Sequence, residues 1–408
     1  MSQNRRFDLG TKVAFAQRYR NNAMSNSMKN EYLSHLYNWN GLIEPKSQKR
    51  GVKNFITSFQ SLISYQKNIN FFDFPPIPIS DSELIQNGSH RLAASIANRV
   101  EPQFISTNRN VDYDYRYFQS FRSDGRNFST RSLAKMLYRN VAYLSKKVRI
   151  ALIFPKALQA DGGSQGFKKI KNHSEIIWTS TLKTSPHRLK YLIMNSYPGE
   201  SWMGLNKDAA GLQAKLNQVL GSEKLARVGV VIFFPNKPSD VTSIKREIRT
   251  KYGFGNDTIH ISDGEDDTLS LVNAFTSLLI NGNSIDNIKW NTPIIDFLNK
   301  RHNKIRELSG QKDRCMVVGS GPIEIFGGRV SNDIDFISCK LDREIKGLND
   351  HNDFEFFFDR PLIDLIDSLE NKIFIFGVPV ADLKTILHFK INRNLPKDAK
   401  DVEWILNL

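Results

Sequence analysis

Apolar residues recur at helical spacing over Lys12–Arg20 and Met28–Trp39. Gly51–Ser64 sets Val52, Phe55, Ile56, Phe59, Leu62 and Ile63 on one face, the stripe of an amphipathic helix. A proline-rich run, Phe74–Ile79, ends in a short strand, and Glu83–Gln86 reads as a second one. The polar turn Asn87-Gly88-Ser89-His90-Arg91 then leads into a helix over Leu92–Asn98. Val148–Phe154 and Val228–Phe234 are apolar at nearly every position, as in strands covered on both faces. Thr258–Ser262 reads as a third strand, and Ser185–Ser196, Asp240–Lys251 and Thr268–Leu279 as helices. After the polar stretch Asn281–Asn291, read as a linker, helices are expected at Pro293–Leu308, Gly321–Phe326, Leu362–Leu369 and Asp382–Arg393. Strands are expected there at Met316–Gly319, Asp333–Ser338, Phe354–Phe358 and Ile373–Phe376.

This pattern divides the 408 residues into segments 1–140, 141–290 and 291–408, consistent with the usual domain size. At 40% hydrophobic and 11% aromatic, the composition supports packed cores. The apolar runs are too short to span a bilayer, and Met1–Arg6 is polar where a signal peptide carries an apolar stretch. Two cysteines, Cys315 and Cys339, exclude a disulfide framework and fit a cytoplasmic protein. A formal net charge of +15 points to anionic partners such as nucleotides or phosphorylated metabolites. No long basic tract marks nucleic-acid binding.

The densest chemistry lies in the last segment. Val317-Val318-Gly319-Ser320 is followed, after twelve residues, by Asp333-Ile334-Asp335-Phe336. Two carboxylates two positions apart on a strand leave the same face. Such a pair calls for a cation, and Mg²⁺ (or Mn²⁺) suits it because phosphate oxygens and water fill its remaining positions. A Gly-Ser turn before a helix offers backbone N–H groups to a triphosphate. These motifs resemble the nucleotidyltransferase superfamily that includes DNA polymerase beta. The resemblance implies a mixed sheet with flanking helices and an NTP as substrate. It implies Asp333 and Asp335 as metal ligands and catalytic residues, with Gly319 and Ser320 on the triphosphate. It also implies a third carboxylate on a later strand, Glu355 or, failing that, Asp353. Lys390 and Arg393, ahead of Lys397-Asp398 and Asp401, resemble the family's closing helix and are candidates for phosphate contact.

In the first segment, Pro76–Ile79 and Asn87–Ala94 resemble the ParB/sulfiredoxin-like fold. The resemblance implies phosphate binding by Gly88, Ser89, His90 and Arg91. By analogy with the free-serine kinases of that fold, it implies Glu44 as a catalytic base. Asn87 stands where that family usually carries Asp. In the middle segment Tyr197–Gly204 is an aromatic, glycine-rich loop, His260 and Asp263 end a strand, and Lys245, Arg246 and Arg249 form a basic helix face. Each has an ordinary structural explanation, and together they permit a ligand site.

The expectation is therefore an α/β and α+β multidomain enzyme, with a ParB/sulfiredoxin-like domain, a middle α/β domain and a nucleotidyltransferase domain. It would move NMP from an NTP to a small, phosphorylated acceptor, with a kinase-like domain in front, in the order that surface-polysaccharide precursors need. One rival is a small-molecule kinase with a non-catalytic nucleotidyltransferase-like domain. Another is a nucleic-acid-binding or RNA-modifying nucleotidyltransferase.

Overall fold

Three of the N-terminal stripes meet in one core. Helix α1 (Leu9–Arg20) brings Phe15, α2 (Asn26–Asn40) brings Tyr32 and α3 (Gly51–Asn68) brings Phe59. The Phe15 ring centroid lies 4.5 Å from that of Tyr32 and 5.2 Å from that of Phe59. Such aromatic contacts stabilise beyond the area they bury. In this computed structural model the described residues are 6–44, 49–68, 75–120, 124–144, 146–205, 207–221, 225–308, 315–339 and 349–408. They form a mixed α/β protein with several small sheets, in two compact units, Met1–Leu144 and Ser145–Leu408.

In the first unit β1 (Ile77–Ile79) runs parallel to β2 (Phe104–Ser106), with α4 (Ser89–Asn98) between them in sequence. A parallel pair needs such a crossover. The expected second strand at 83–86 is reduced to one bridge, Ile79 with Ile85. Helices α5 (Tyr115–Gln119) and α6 (Thr130–Leu144) complete the unit. Helix α1 approaches α6 so closely that a Cβ on Gly10 would lie 2.4 Å from the Asn140 backbone.

The second unit holds both the middle and the C-terminal segments of the sequence reading. Its first sheet has the order β4-β5-β3-β6 and is antiparallel throughout. The strands are β3 (Arg149–Ile153), β4 (Ser174–Thr184), β5 (Ala226–Pro235) and β6 (Ile259–Ile261). Ala151, Ile153, Val231, Phe233, Ile259 and Ile261 join one core with residues of α7 (Pro155–Asp161), α8 (Ser164–Asn172) and α11 (Asp240–Tyr252). Helices α9 (Pro186–Ser196), α10 (Ala210–Leu220) and α12 (Glu265–Ile285) complete this part. The expected linker is in part helix: α12 continues to Ile285 through a kink at Asn281, where φ is −124°. The Asn281 side chain donates to the carbonyls of Leu369 (2.9 Å) and Lys372 (2.7 Å).

The second sheet has the order β10-β11-β7-β8-β9. Its strands are β7 (Cys315–Val318), β8 (Asp335–Ser338), β9 (Asn349–Asp350), β10 (Lys372–Ile375) and β11 (Val378–Ala381). It is mixed: β7 runs antiparallel to β8 but parallel to β11, and β8 runs parallel to β9. Helices α13 (Pro293–Leu308), α14 (Gly321–Ile325), α15 (Leu362–Asp367), α16 (Leu383–Arg393) and α17 (Ala399–Leu406) belong to this part of the chain. The expected strand at 354–358 is instead largely a 3-10 helix, Asn352–Phe357. Helix α9 of the middle segment holds the β10–β11 turn. Tyr191 Oη donates to the Phe374 carbonyl at 2.6 Å, and the Phe376 N–H donates to Asn195 Oδ1 at 2.7 Å. Phe376 has φ of +53° and Gly377 +75°, the left-handed pair that a tight hairpin turn requires. Among the described residues, no helix is long and apolar enough to cross a membrane.

Candidate functional site

Strand β7 delivers the chain to Gly319, where φ is +68°. Glycine takes that conformation without a Cβ penalty. Space demands it as well, because a Cβ on Gly319 would lie 1.9 Å from Oδ2 of Asp335. The register that pairs Val318 with Asp335 causes this approach. Asp335 is 7% exposed, and its Oδ1 lies 3.0 Å from Nε2 of His351. Asp333 sits just before β8 rather than on it and is exposed; its Oδ2 accepts from Asn349 Nδ2 at 3.0 Å. Asn349 is the register partner of Asp335, so both carboxylates lie at the same end of β8.

Ser320 is tied into the loop that carries Asp333. Its Oγ lies 2.9 Å from Ser331 Oγ, and Ser331 Oγ donates to the Asp333 carbonyl. Glu324, 2% exposed, accepts from the N–H of Ser331 (2.7 Å) and of Ile294 (2.8 Å). A buried carboxylate bonded by two backbone donors fixes the shape of a loop. The sequence reading named neither Glu324 nor His351. The local signal for His351 is its place in the polar run His351-Asn352-Asp353, and Glu324 has none.

The other C-terminal candidates lie elsewhere. Glu355 is exposed, and its Oε1 accepts from the Leu362 N–H at 2.9 Å, capping α15; Asp353 is exposed on the same 3-10 helix. Lys390, 2% exposed, bonds Asp398 at 3.0 Å and Asp401 at 2.8 Å. Arg393 bonds both oxygens of Asp398, and Arg329 bonds Asp401. Burial opposes ionisation of Asp398, yet Arg393 and Lys390 hold its carboxyl below the usual value. Lys390 and Arg393 thus pair with Asp398, and Asp401 binds a cation as well.

Among the described residues no group of three or more His, Cys, Asp or Glu is disposed to hold a metal. The Asp333–Asp335 pair still fits Mg²⁺, which needs only one or two protein carboxylates beside water and phosphate. Asp335 lies directly against the turn, so close that a Cβ on Gly319 would clash with its carboxylate.

Gly319→Ala tests this closeness. The left-handed φ alone costs a non-glycine residue about 1–2 kcal/mol, and displacing Asp335 adds to it. A drop of several degrees in Tm by scanning calorimetry is expected; an unchanged Tm would remove the tight approach.

In the first unit the turn before α4 covers a buried charge cluster. Gly88 has φ of +79°, and Ser89 Oγ accepts from Lys12 Nζ at 2.7 Å and from an Arg6 Nη at 3.5 Å. Lys12 and Arg6 both pair with Asp8, which is 0% exposed. Burial brings the Lys12 ammonium down to about 8, against the pull of Asp8. His90 Nε2 lies 3.0 Å from the Tyr32 hydroxyl, and burial, then Lys12 and Lys49, hold the ring well below the usual imidazole value. Arg91 donates to the carbonyls of Pro75 (2.7 Å) and Pro76 (2.9 Å). Glu44 is exposed, with Oε2 3.7 Å from Lys49 Nζ. The sequence reading missed Asp8 and Lys12, although their i, i+4 spacing was visible.

The structure brings Tyr197, Trp202, Lys245, Arg249, His260 and Asp263 to one cavity of about 610 Å³; Arg246 does not line it. Comparison with protein-family models, curated proteins and solved structures gives no match.

Proposed function

We propose that the C-terminal part of the second unit is a nucleotidyltransferase, moving NMP from an NTP to a small anionic acceptor. One observation carries this reading: the Gly319 turn lies directly against the Asp335 carboxylate, with Asp333 at the same strand end. Asp333 and Asp335 would hold Mg²⁺, which when bound would neutralise charge on the phosphates. The Gly319–Ser320 turn would direct backbone donors at the triphosphate. The Ser331–Glu324 bonds would keep Asp333 and Ser320 in one rigid loop, so little reorganisation accompanies reaction. An acceptor oxygen attacks the α-phosphorus in line; the new O–P bond forms as the bond to the bridging oxygen breaks, and pyrophosphate leaves. Where the acceptor is a phosphomonoester its oxygen is already anionic, so no base is needed. The test is Mg²⁺-dependent pyrophosphate release from each of the four NTPs with a panel of sugar, polyol and amino-alcohol phosphates. Release with none of them would overturn the reading.

A second reading concerns the first unit, which we propose binds phosphate and acts as a small-molecule kinase. Its support is the left-handed Gly88 beside a Ser89 hydroxyl held by two cations. Exposed Glu44 would be the base. Glu44→Gln is expected to lower phosphoryl transfer from ATP to a hydroxyl acceptor by ~10²-fold or more. Unchanged transfer would sink the assignment.

A further inference from the structure

The cavity in the second unit lies beside β6, an edge strand, and far in sequence from the Gly319–Asp335 turn. About 610 Å³ is within the usual size of a small-molecule site, ~300–1,000 Å³. His260 forms part of its wall and is 7% exposed. Among the described residues nothing bonds its Nε2. A buried polar atom left so is costly unless a ligand or water completes it. Burial, and then Lys245, bring the ring down to about 3, so it is neutral at physiological pH.

Three cations converge on this wall, Lys215 from α10 and Lys245 and Arg249 from α11. Two are already matched: Lys215 bonds Asp257 at 2.7 Å, and Lys245 bonds Asp263. Arg249 differs. One Nη reaches the Ile259 carbonyl at 3.5 Å, and among the described residues its Nε has no partner. A guanidinium with unused donors is a natural anion receptor. Two aromatic residues, Tyr197 and Trp202, join the lining. Tyr197 stands edge-on to both His260 (4.7 Å) and Trp202 (5.3 Å), and Trp202 is 41% exposed. Asn299 Oδ1 accepts from the Gly199 N–H at 2.7 Å, fixing this loop.

The lining is nevertheless not a general anion sink. Glu200, Asp263 and Asp267 balance the three cations in formal charge. A ligand that satisfies the whole lining brings one anionic group, hydroxyl donors for a carboxylate, and a flat face for an indole. Nucleotides combine all three, since a carboxylate reads ribose hydroxyls and an aromatic side chain stacks on any base.

We propose that this cavity binds a nucleoside monophosphate, with its phosphate between Arg249 and His260, its ribose hydroxyls on Asp267 and its base against Trp202. The site is separate from the carboxylate turn and stands whether or not that turn transfers nucleotides.

The experiment is isothermal titration of the full-length protein with AMP, GMP, CMP and UMP in EDTA-containing buffer, alongside adenosine and inorganic phosphate. At least one nucleotide should bind at one per chain, and more tightly than either fragment. Arg249→Gln should weaken it by ~10–100-fold, and Trp202→Ala by ~10-fold. Asp335→Asn should leave it unchanged. Trp202 is exposed, so its variant stays folded and carries the test even if Arg249→Gln does not fold. No binding by any nucleotide would overturn the proposal. So would phosphate alone binding as tightly, wild-type affinity in Trp202→Ala, or loss of binding in Asp335→Asn.

Discussion

Asp335→Asn is expected to cut Mg²⁺-dependent pyrophosphate release by ~10³-fold or more while the protein stays folded. The size follows from losing a metal-binding carboxylate where charge develops, which costs several kcal/mol of transition-state stabilisation. Asparagine keeps the shape that packs against Gly319 and still offers an oxygen to His351, 3.0 Å from Oδ1 in the wild type. Stability therefore changes little, and circular dichroism with calorimetry checks this on the same sample. Asp333→Asn should be nearly as damaging, since Asp333 is exposed at the same strand end, where Asn349 bonds one of its oxygens. Glu355→Gln should cost far less. Its carboxylate caps α15, and an amide oxygen still accepts from the Leu362 N–H. If Glu355→Gln proves as inactive as Asp335→Asn, Glu355 leaves its cap during turnover. Full activity in Asp335→Asn would end the nucleotidyltransferase reading.

The largest effect on stability is expected at Asp8. Removing the carboxylate in Asp8→Ala leaves Arg6 and Lys12 buried with an uncompensated charge, which costs about 3–5 kcal/mol. Hydrogen–deuterium exchange of α1 and α4 in the full-length chain reads this as faster exchange. An unchanged rate would mean the cluster is open to water. Acidity adds a signature. Burial opposes ionisation of Asp8, but Arg6 and Lys12 hold its carboxyl well below 3.8. The stability it lends is complete above that ordinary value and fades as pH falls through its depressed folded value. In strong acid, wild type and variant should converge. Lys12 acts at the other end of the scale. Folded, it sheds its proton near 8, whereas the unfolded chain keeps it until about 10.5. The unfolded state binds more protons in that window, so the burden of burying Lys12 eases as pH rises across it.

Much of this was written along the chain, and the rest arises only when the chain folds. The stripe on Gly51–Ser64 was legible because one face carries all its apolar residues, and Phe55, Phe59 and Ile63 are buried as that pattern requires. The Gly319–Asp335 approach was legible as two motifs, but their contact belongs to the β7–β8 register. The Phe-rich stretch 354–358 misled because aromatic residues favour strands. There the Glu355 cap on α15 and the turn at His351 outweigh propensity. Asp8 and Lys12 look like an ordinary i, i+4 surface pair until α4 closes over them. His260 and Arg249 are unremarkable singly, and only the packing of α11 against β6 gives them a shared cavity.

The bonds from Tyr191, Asn195 and Asn281 to the β10–β11 hairpin and its approach bear on how this chain can be divided. A fragment beginning at 291 would carry the whole carboxylate motif. It would also strip buried carbonyls and the strained Phe376 turn of their donors and acceptor. The motif is thus not a portable cassette. Recombination that moved it into another protein would have to carry the preceding helices too.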